Sequence, residues 1–187
     1  KGDDVFNFVQ TKIPQMVKDI FKDLSISDDY INYYIFHQPN KFMLQKLADK
    51  MYQQTAVIYT ASGFEGVGVR FRQQINENSK MLCWHHYYPE QNHNELVGWR
   101  NEDDRLAVVF LKSKNDHYRV AKRMELSDEV YQKYTPNIYE FTAVGSSKLE
   151  QAIHLIHLGD WMSVALADLR GVDSTEVNVI DWFKGEL

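Results

Sequence analysis

The feature that most constrains the fold of this chain is the run Thr55-Ala56-Val57-Ile58-Tyr59-Thr60, almost solidly apolar or β-branched and followed at once by a helix-forming stretch. A strand with one wet face alternates apolar and polar residues, whereas a run without alternation fits a strand buried on both faces. Residues 81–88, 105–112 and 138–143 are further strand candidates, separated by stretches long enough for crossover connections. Strands alternating with helices predict a parallel sheet with helices on both faces, a three-layer α/β fold. Ligands of such sheets bind beyond the carboxyl ends of the strands, which singles out the loops after Thr60, Tyr88 and Ala143.

The helices announce themselves by spacing. Ser62-Gly63-Phe64-Glu65 and Ser147-Lys148-Leu149-Glu150 both have the serine-to-glutamate spacing of a capping box. The first predicts a helix to about Ser79 and the second a long helix through Arg170, with Gly171 able to terminate it. A last helix is expected from about Ser174 to the C-terminus. Upstream, Val5, Phe8, Val9, Ile13, Met16, Val17, Ile20, Phe21 and Leu24 recur at helical spacing, with Pro14 kinking or delaying that helix. Tyr33-Tyr34-Ile35-Phe36 reads as a short strand ending at His37, and Asn40 can cap a helix burying Met43, Leu44, Leu47, Ala48 and Met51. The start of the chain is thus a helix-strand-helix element.

Composition decides partners and organisation. A length of 187 residues allows one generous domain or two small ones, and a single cysteine excludes a disulfide framework. The net charge of -5 argues against nucleic acid and against anionic membranes as partners. Apolar stretches fall far short of the roughly 20 residues of a membrane span, so the setting reads as cytoplasmic. Residues 1–51 hold seven basic and seven acidic side chains, every acid an Asp, while all four Trp and every Glu come later. Gly is absent from Asp3 through Ser62 and the first residue is Lys. Together these imbalances predict a seam near residue 51, as in an excised or joined piece.

Several groups could carry chemistry. Gly63-x-x-Gly66-x-Gly68 after a strand invites a dinucleotide reading, but the close pair of glycines comes second, inside the helix; close helix packing is the better use. His85, His86, Glu90, His93 and Glu95 are dense enough to suggest a metal, yet adjacent strand histidines point to opposite faces, and none of the common helical histidine signatures is present. No metal and no cofactor is expected. His154 and His157 share a helix face among apolar neighbours, and Cys83 fits a small core residue. The strongest constellation is Gln74-Ile75-Asn76-Glu77-Asn78-Ser79-Lys80 followed by Pro89-Glu90-Gln91-Asn92-His93-Asn94-Glu95. It sets a carboxylate at a helix end and a loop histidine among side chains suited to a polyol.

Residues 52–187 resemble the C-terminal sugar-isomerase (SIS) domain of the bifunctional phosphoglucose/phosphomannose isomerases, a flavodoxin-like fold. The matching stretches are Ala56-Val57-Ile58-Tyr59, Arg70 through Lys80, Asn92-His93-Asn94-Glu95-Leu96-Val97-Gly98-Trp99, Leu158-Gly159-Asp160-Trp161-Met162-Ser163 and the tail from Gly171-Val172-Asp173 to Lys184. The resemblance implies that Glu77 is the base that moves a proton between C1 and C2 of a sugar phosphate through an enediol. It implies that His93 helps open the sugar ring and that Lys184 assists near the ring oxygen. It also implies a homodimer in which the residue matching His93 is lent across the interface. Read without it, Glu77 is a solvated helix-end acid, His93 a loop-ordering hydrogen-bonder and Lys184 a favourable charge at a helix C-terminus. The family's first SIS domain carries a Ser/Thr-rich phosphate loop, and no comparable loop is visible here, so weak or absent activity is the expectation.

Residues 1–51 resemble a different family. Asp4-Val5-Phe6-Asn7-Phe8-Val9 and Tyr34-Ile35-Phe36-His37-Gln38-Pro39-Asn40-Lys41-Phe42-Met43 look like the C-terminal half of a beta-ketoacyl-acyl-carrier-protein synthase III, of thiolase fold. His37 would match its condensation histidine, orphaned from the nucleophilic cysteine of the preceding half. A chimera joined helix to helix follows, with a non-catalytic α/β scaffold and an acyl-transfer enzyme as the competing readings.

Overall fold

The computed structural model describes residues 15, 18, 19, 22, 23, 25 and 48–187. The chain divides into two compact units, Lys1–Phe36 and His37–Leu187. In the first, residues 15, 18, 19, 22 and 23 are helical, at the polar positions of the expected repeat. The strand expected at 33–36, the Asn40 cap and His37 lie outside the described residues.

Among the described residues of the second unit, four parallel strands form one sheet: β1 (Thr55–Ala61), β2 (Trp84–Tyr88), β3 (Leu106–Lys112) and β4 (Ile138–Thr142), in the order β2-β1-β3-β4. The central pair β1 and β3 is held in register from Thr55 opposite Leu106 to Thr60 opposite Leu111. Helix α1 (Glu65–Ser79) links β1 to β2, α2 (Tyr118–Tyr131) links β3 to β4, and α3 (Lys148–Arg170) and α4 (Asn178–Gly185) follow.

Alternation along the strands sorts the core into two layers. Ala56, Ile58, Val109 and Leu111 face α1 and α3, where they meet Phe71, Ile75, Leu155, Met162 and Leu166, with Ala48 and Met51 at the margin. Val57, Tyr59, Val108 and Phe110 face the other way, onto Tyr88, Trp99, Met124 and Tyr131. This is the expected three-layer α/β sandwich. Helices α1 and α3 touch closely: a Cβ on Gly159 would lie 2.2 Å from the Phe71 ring, so only glycine fits there. Gly68 lies close against the sheet as well, less tightly: a Cβ there would stand 3.2 Å from the Thr60 methyl.

Local chemistry corrects three expectations. The Ser62 capping box does not form, because Ser62–Phe64 is already a tight 3-10 turn in which the Glu65 amide donates to the Ser62 carbonyl. The Ser147 box does form, both ways, and Gly171 ends α3 at φ 65°. The last helix begins at Asn178 rather than near Ser174, since Asp173 accepts from both the amide and hydroxyl of Thr175 and locks a turn there. Strand β2 begins at Trp84 rather than residue 81, because Asn76 on α1 takes the Met81 carbonyl at 2.7 Å and leads 81–83 along the helix.

Candidate active site

The end of α1 is built from the polar run 76–80, and nearly all of it is committed to structure. Asn76 donates to the Met81 carbonyl. Asn78 donates to the Ser163 hydroxyl at 2.8 Å and Ser79 to the Ser163 carbonyl at 2.7 Å, both on α3. Lys80 closes the helix at φ 55°, the left-handed conformation that glycine usually supplies. Its side chain explains the choice: the ammonium donates to the carbonyls of Glu77 and Glu176, each at 2.5 Å. Glu176 in turn takes the Asn178 amide at the start of α4. Glu77 alone in this run is exposed and makes no side-chain hydrogen bond with a described residue.

His93 ends a short 3-10 turn, Glu90–His93, in the connection between β2 and β3. A second such turn, Glu95–Gly98, begins with the Asn94 side chain accepting from the Glu95 amide. The imidazole is exposed, but the chain on either side is not free. Gln91 is fully buried, accepting from the Tyr131 hydroxyl at 3.1 Å and donating to Ser127 at 3.4 Å. Glu95 accepts from the Tyr59 hydroxyl with one oxygen and meets His86 Nδ1 at 3.1 Å with the other. Trp99 donates to the same Tyr59 hydroxyl at 3.2 Å. Burial pushes the phenols of Tyr59 and Tyr131 upward, so both remain protonated donors.

Lys184 lies in the last turn of α4, exposed. Among the described residues no hydrogen bond or ion pair joins Glu77, His93 and Lys184 to one another. What does connect them is scaffold: Lys80 ties the end of α1 to the entry of α4, and Asn76, through 81–83, leads α1 into β2 and the His93 loop.

His85 and His86 point to opposite faces, as adjacent strand residues must: His85 packs by Gly68, and His86 faces Glu95. His157 accepts from the Trp161 indole, and His154 from the Val144 amide. Among the described residues no three His, Cys, Asp or Glu side chains converge as a metal site. Cys83 is half-buried, and burial pushes its thiol up to about 12. A cavity of 480 Å³ lined by Glu102, Asp103, Asp104 and residues 132–136 lies at the amino ends of β3 and β4. Its acidic wall and wrong end of the sheet make it a poor place for a phosphate ester. No helix among the described residues is long and apolar enough to cross a membrane.

Sequence reading missed Tyr59, Gln91, Ser127 and Tyr131 as a polar network. The one available signal was Tyr59 inside an apolar strand, where a buried hydroxyl demands a partner.

Comparison with known proteins bears on the family and the fold. The profile of the bacterial phospho-glucose isomerase C-terminal SIS domain matches residues 43–187, beginning upstream of the boundary expected at 51/52. The chain is similar to the bifunctional phosphoglucose/phosphomannose isomerase of Aquifex aeolicus, 33% identical over 76% of this chain and 45% of that protein. The enzyme of the same name from Thermoplasma volcanium is 32% identical over 76% of this chain and 47% of its own length. The matched part therefore spans about half the length of these curated relatives. A glucose-6-phosphate isomerase like protein from Thermus thermophilus shares the fold, with TM-score 0.57 and 22% identity over 70% of this chain and 42% of that one.

Proposed function

The chain belongs to the bacterial phospho-glucose isomerase C-terminal SIS domain family, and from that premise we propose that it carries the acid–base part of an aldose–ketose isomerase for sugar phosphates. The substrates are fructose 6-phosphate and glucose 6-phosphate or mannose 6-phosphate. The observation that carries the reading is the end of α1, where every polar neighbour from 76 to 80 is spent on structure and Glu77 alone is presented to solvent.

In this reading the Glu77 carboxylate takes the proton from the carbon beside the carbonyl. The electron pair becomes the C1–C2 double bond as the carbonyl oxygen takes up a proton from solvent; Glu77 then returns its proton to the former carbonyl carbon while the hydroxyl on the adjacent carbon releases its proton to solvent and becomes the new carbonyl. His93 exchanges a proton with the ring oxygen so that the open form is available, a task suited to an imidazole near neutral pH. Lys184 stabilises the developing charge on oxygen. No step calls on a metal or cofactor. The matched relatives carry as much chain again. A homodimer that brings His93 of one copy to the site of another is part of the same reading.

The test is interconversion of fructose 6-phosphate with glucose or mannose 6-phosphate at high substrate. Glu77→Gln should lower turnover at least about 100-fold; equal turnover in parent and variant would remove Glu77 from the role. A second reading, a folded α/β scaffold without activity, is favoured by one observation: α4, which carries Lys184, has no buried residue. Cooperative unfolding without any thermal shift in the presence of sugar phosphate would support it. The likeness of residues 1–51 to a synthase segment stands as a proposal too, resting on the sequence stretches alone; the isomerase family match begins at residue 43, inside that segment.

A further inference from the structure

The connection from Pro89 to Trp99 is made of two short 3-10 turns, Glu90–His93 and Glu95–Gly98, joined at Asn94. The main-chain bonds from Asn92 to Pro89 at 3.1 Å and from Asn94 to Gln91 at 3.3 Å are local to the first turn. Bonds inside single turns shape a loop without tying it to the body of the domain, so side chains must supply that tie. Here the ties are arranged about one residue. Gln91 and Glu95 stand two positions before and two after His93, and each is held by a buried phenol, Tyr131 and Tyr59 respectively. The two phenol rings stack on each other, centroids 5.3 Å apart and planes 9° from parallel. Trp99 closes the far end, its ring 4.6 Å from Tyr131 and its indole nitrogen on the Tyr59 hydroxyl. Tyr59 comes from the central strand and Tyr131 from the last turn of α2, so the pins are rooted in the most rigid parts of the sandwich.

We infer that Tyr59 and Tyr131 are positioning residues, a stacked pair that acts through Glu95 and Gln91 to hold His93 at one place over the carboxyl end of the sheet. The inference rests on the reading of His93 as a working residue. The chemistry is specific. Glu95 has a protein partner on each oxygen, Tyr59 donating to one and His86 meeting the other; removal of the Tyr59 hydroxyl takes the tie to the central strand from a carboxylate oxygen and leaves the buried Trp99 N–H without its acceptor. Loss of the Tyr131 hydroxyl leaves the Gln91 carbonyl unpaired at full burial.

The experiment uses the whole chain and the variants Tyr59→Phe, Tyr131→Phe, Glu95→Gln, Glu95→Ala and His93→Gln, read by amide hydrogen exchange and by kcat and KM for fructose 6-phosphate. Each Phe variant should speed exchange in residues 90–95 by about tenfold, leaving α3 and β3 unchanged. In the assay, kcat should fall about 10- to 100-fold with KM little changed. Glu95→Gln, which still accepts from Tyr59, should retain more order and turnover than Glu95→Ala, and it covers the case in which a Phe variant fails to fold. Exchange in 90–95 equal to the parent in the Phe and Glu95 variants, or faster everywhere alike, overturns the inference. A tenfold local loosening with kcat untouched, in a chain whose His93→Gln variant has lost turnover, overturns it as well. Full turnover in His93→Gln would instead bring down the reading of His93, while exchange and the His93 ring signals still judge the pins.

Discussion

Two segments carry candidate residues, and they are held in opposite ways. The loop with His93 is fastened at both flanks and at its end into the α2-side core. Helix α4, with Lys184, buries nothing: Val179 is 75% exposed, Trp182 65% and Phe183 57%. One is a finished mounting, while the other presents an apolar face outward and is fixed at its root by Lys80 and Glu176. Burial, more than hydrogen-bond number, makes the difference, since an exposed pair contributes little while a buried one is costly to break. The contrast teaches that this domain holds the loop of His93 more firmly than the helix of Lys184.

Paired substitutions of the same residue type would sharpen that contrast. Trp99→Ala should destabilise the domain by about 3–5 kcal/mol in denaturant titration, whereas Trp182→Ala should stay within about 0.5 kcal/mol. Comparable losses at the two sites would break the comparison. Next in size, Gly159→Ala forces the Phe71 ring away from α3 and should cost about 1–3 kcal/mol. It loosens the seat of Glu77 without touching the His93 loop, so hydrogen exchange should rise in α1 and not in residues 90–95.

A smaller effect concerns Cys83, beside the strand that leads to the His93 loop. Its thiol stays protonated up to about 12 in the folded chain, against an ordinary value of 9.0. The unfolded chain therefore releases this proton first as pH rises, so the contribution to stability is whole below about pH 9 and declines towards pH 12. Alkylation of Cys83 at pH 8 should accordingly be much slower in the folded chain than in denaturant. Equal rates would show that the β2 side is as open as α4.

How far the sequence carried this picture depends on where the signal was local. Strands β1 and β3 were legible as unbroken apolar runs, β4 as a short stretch of strand-forming residues around Glu140, and α3 by its capping box and closing glycine. Helix α2 was legible only as a long gap: of its side chains just Met124, Ser127 and Tyr131 are buried, and its cap is His117, an uncommon capping residue that accepts the Arg119 amide. Glu77 and His93 stood out as a helix-end carboxylate and a loop histidine among polar side chains, while their roles, and Lys184 altogether, came from resemblance to a family. The pins around His93 were not legible, because Tyr59, Gln91 and Tyr131 are far apart in the chain and two of them look like ordinary core aromatics. Only the fold stacks them.

The measurement that bears most directly on the account is proton exchange. With fructose 6-phosphate in deuterium oxide, the parent chain should introduce deuterium at C1 of the ketose or C2 of the aldose product, even where net turnover is slow, and Glu77→Gln should introduce almost none. Deuterium entering equally with both chains, or with neither, would contradict Glu77 as the group that moves the proton.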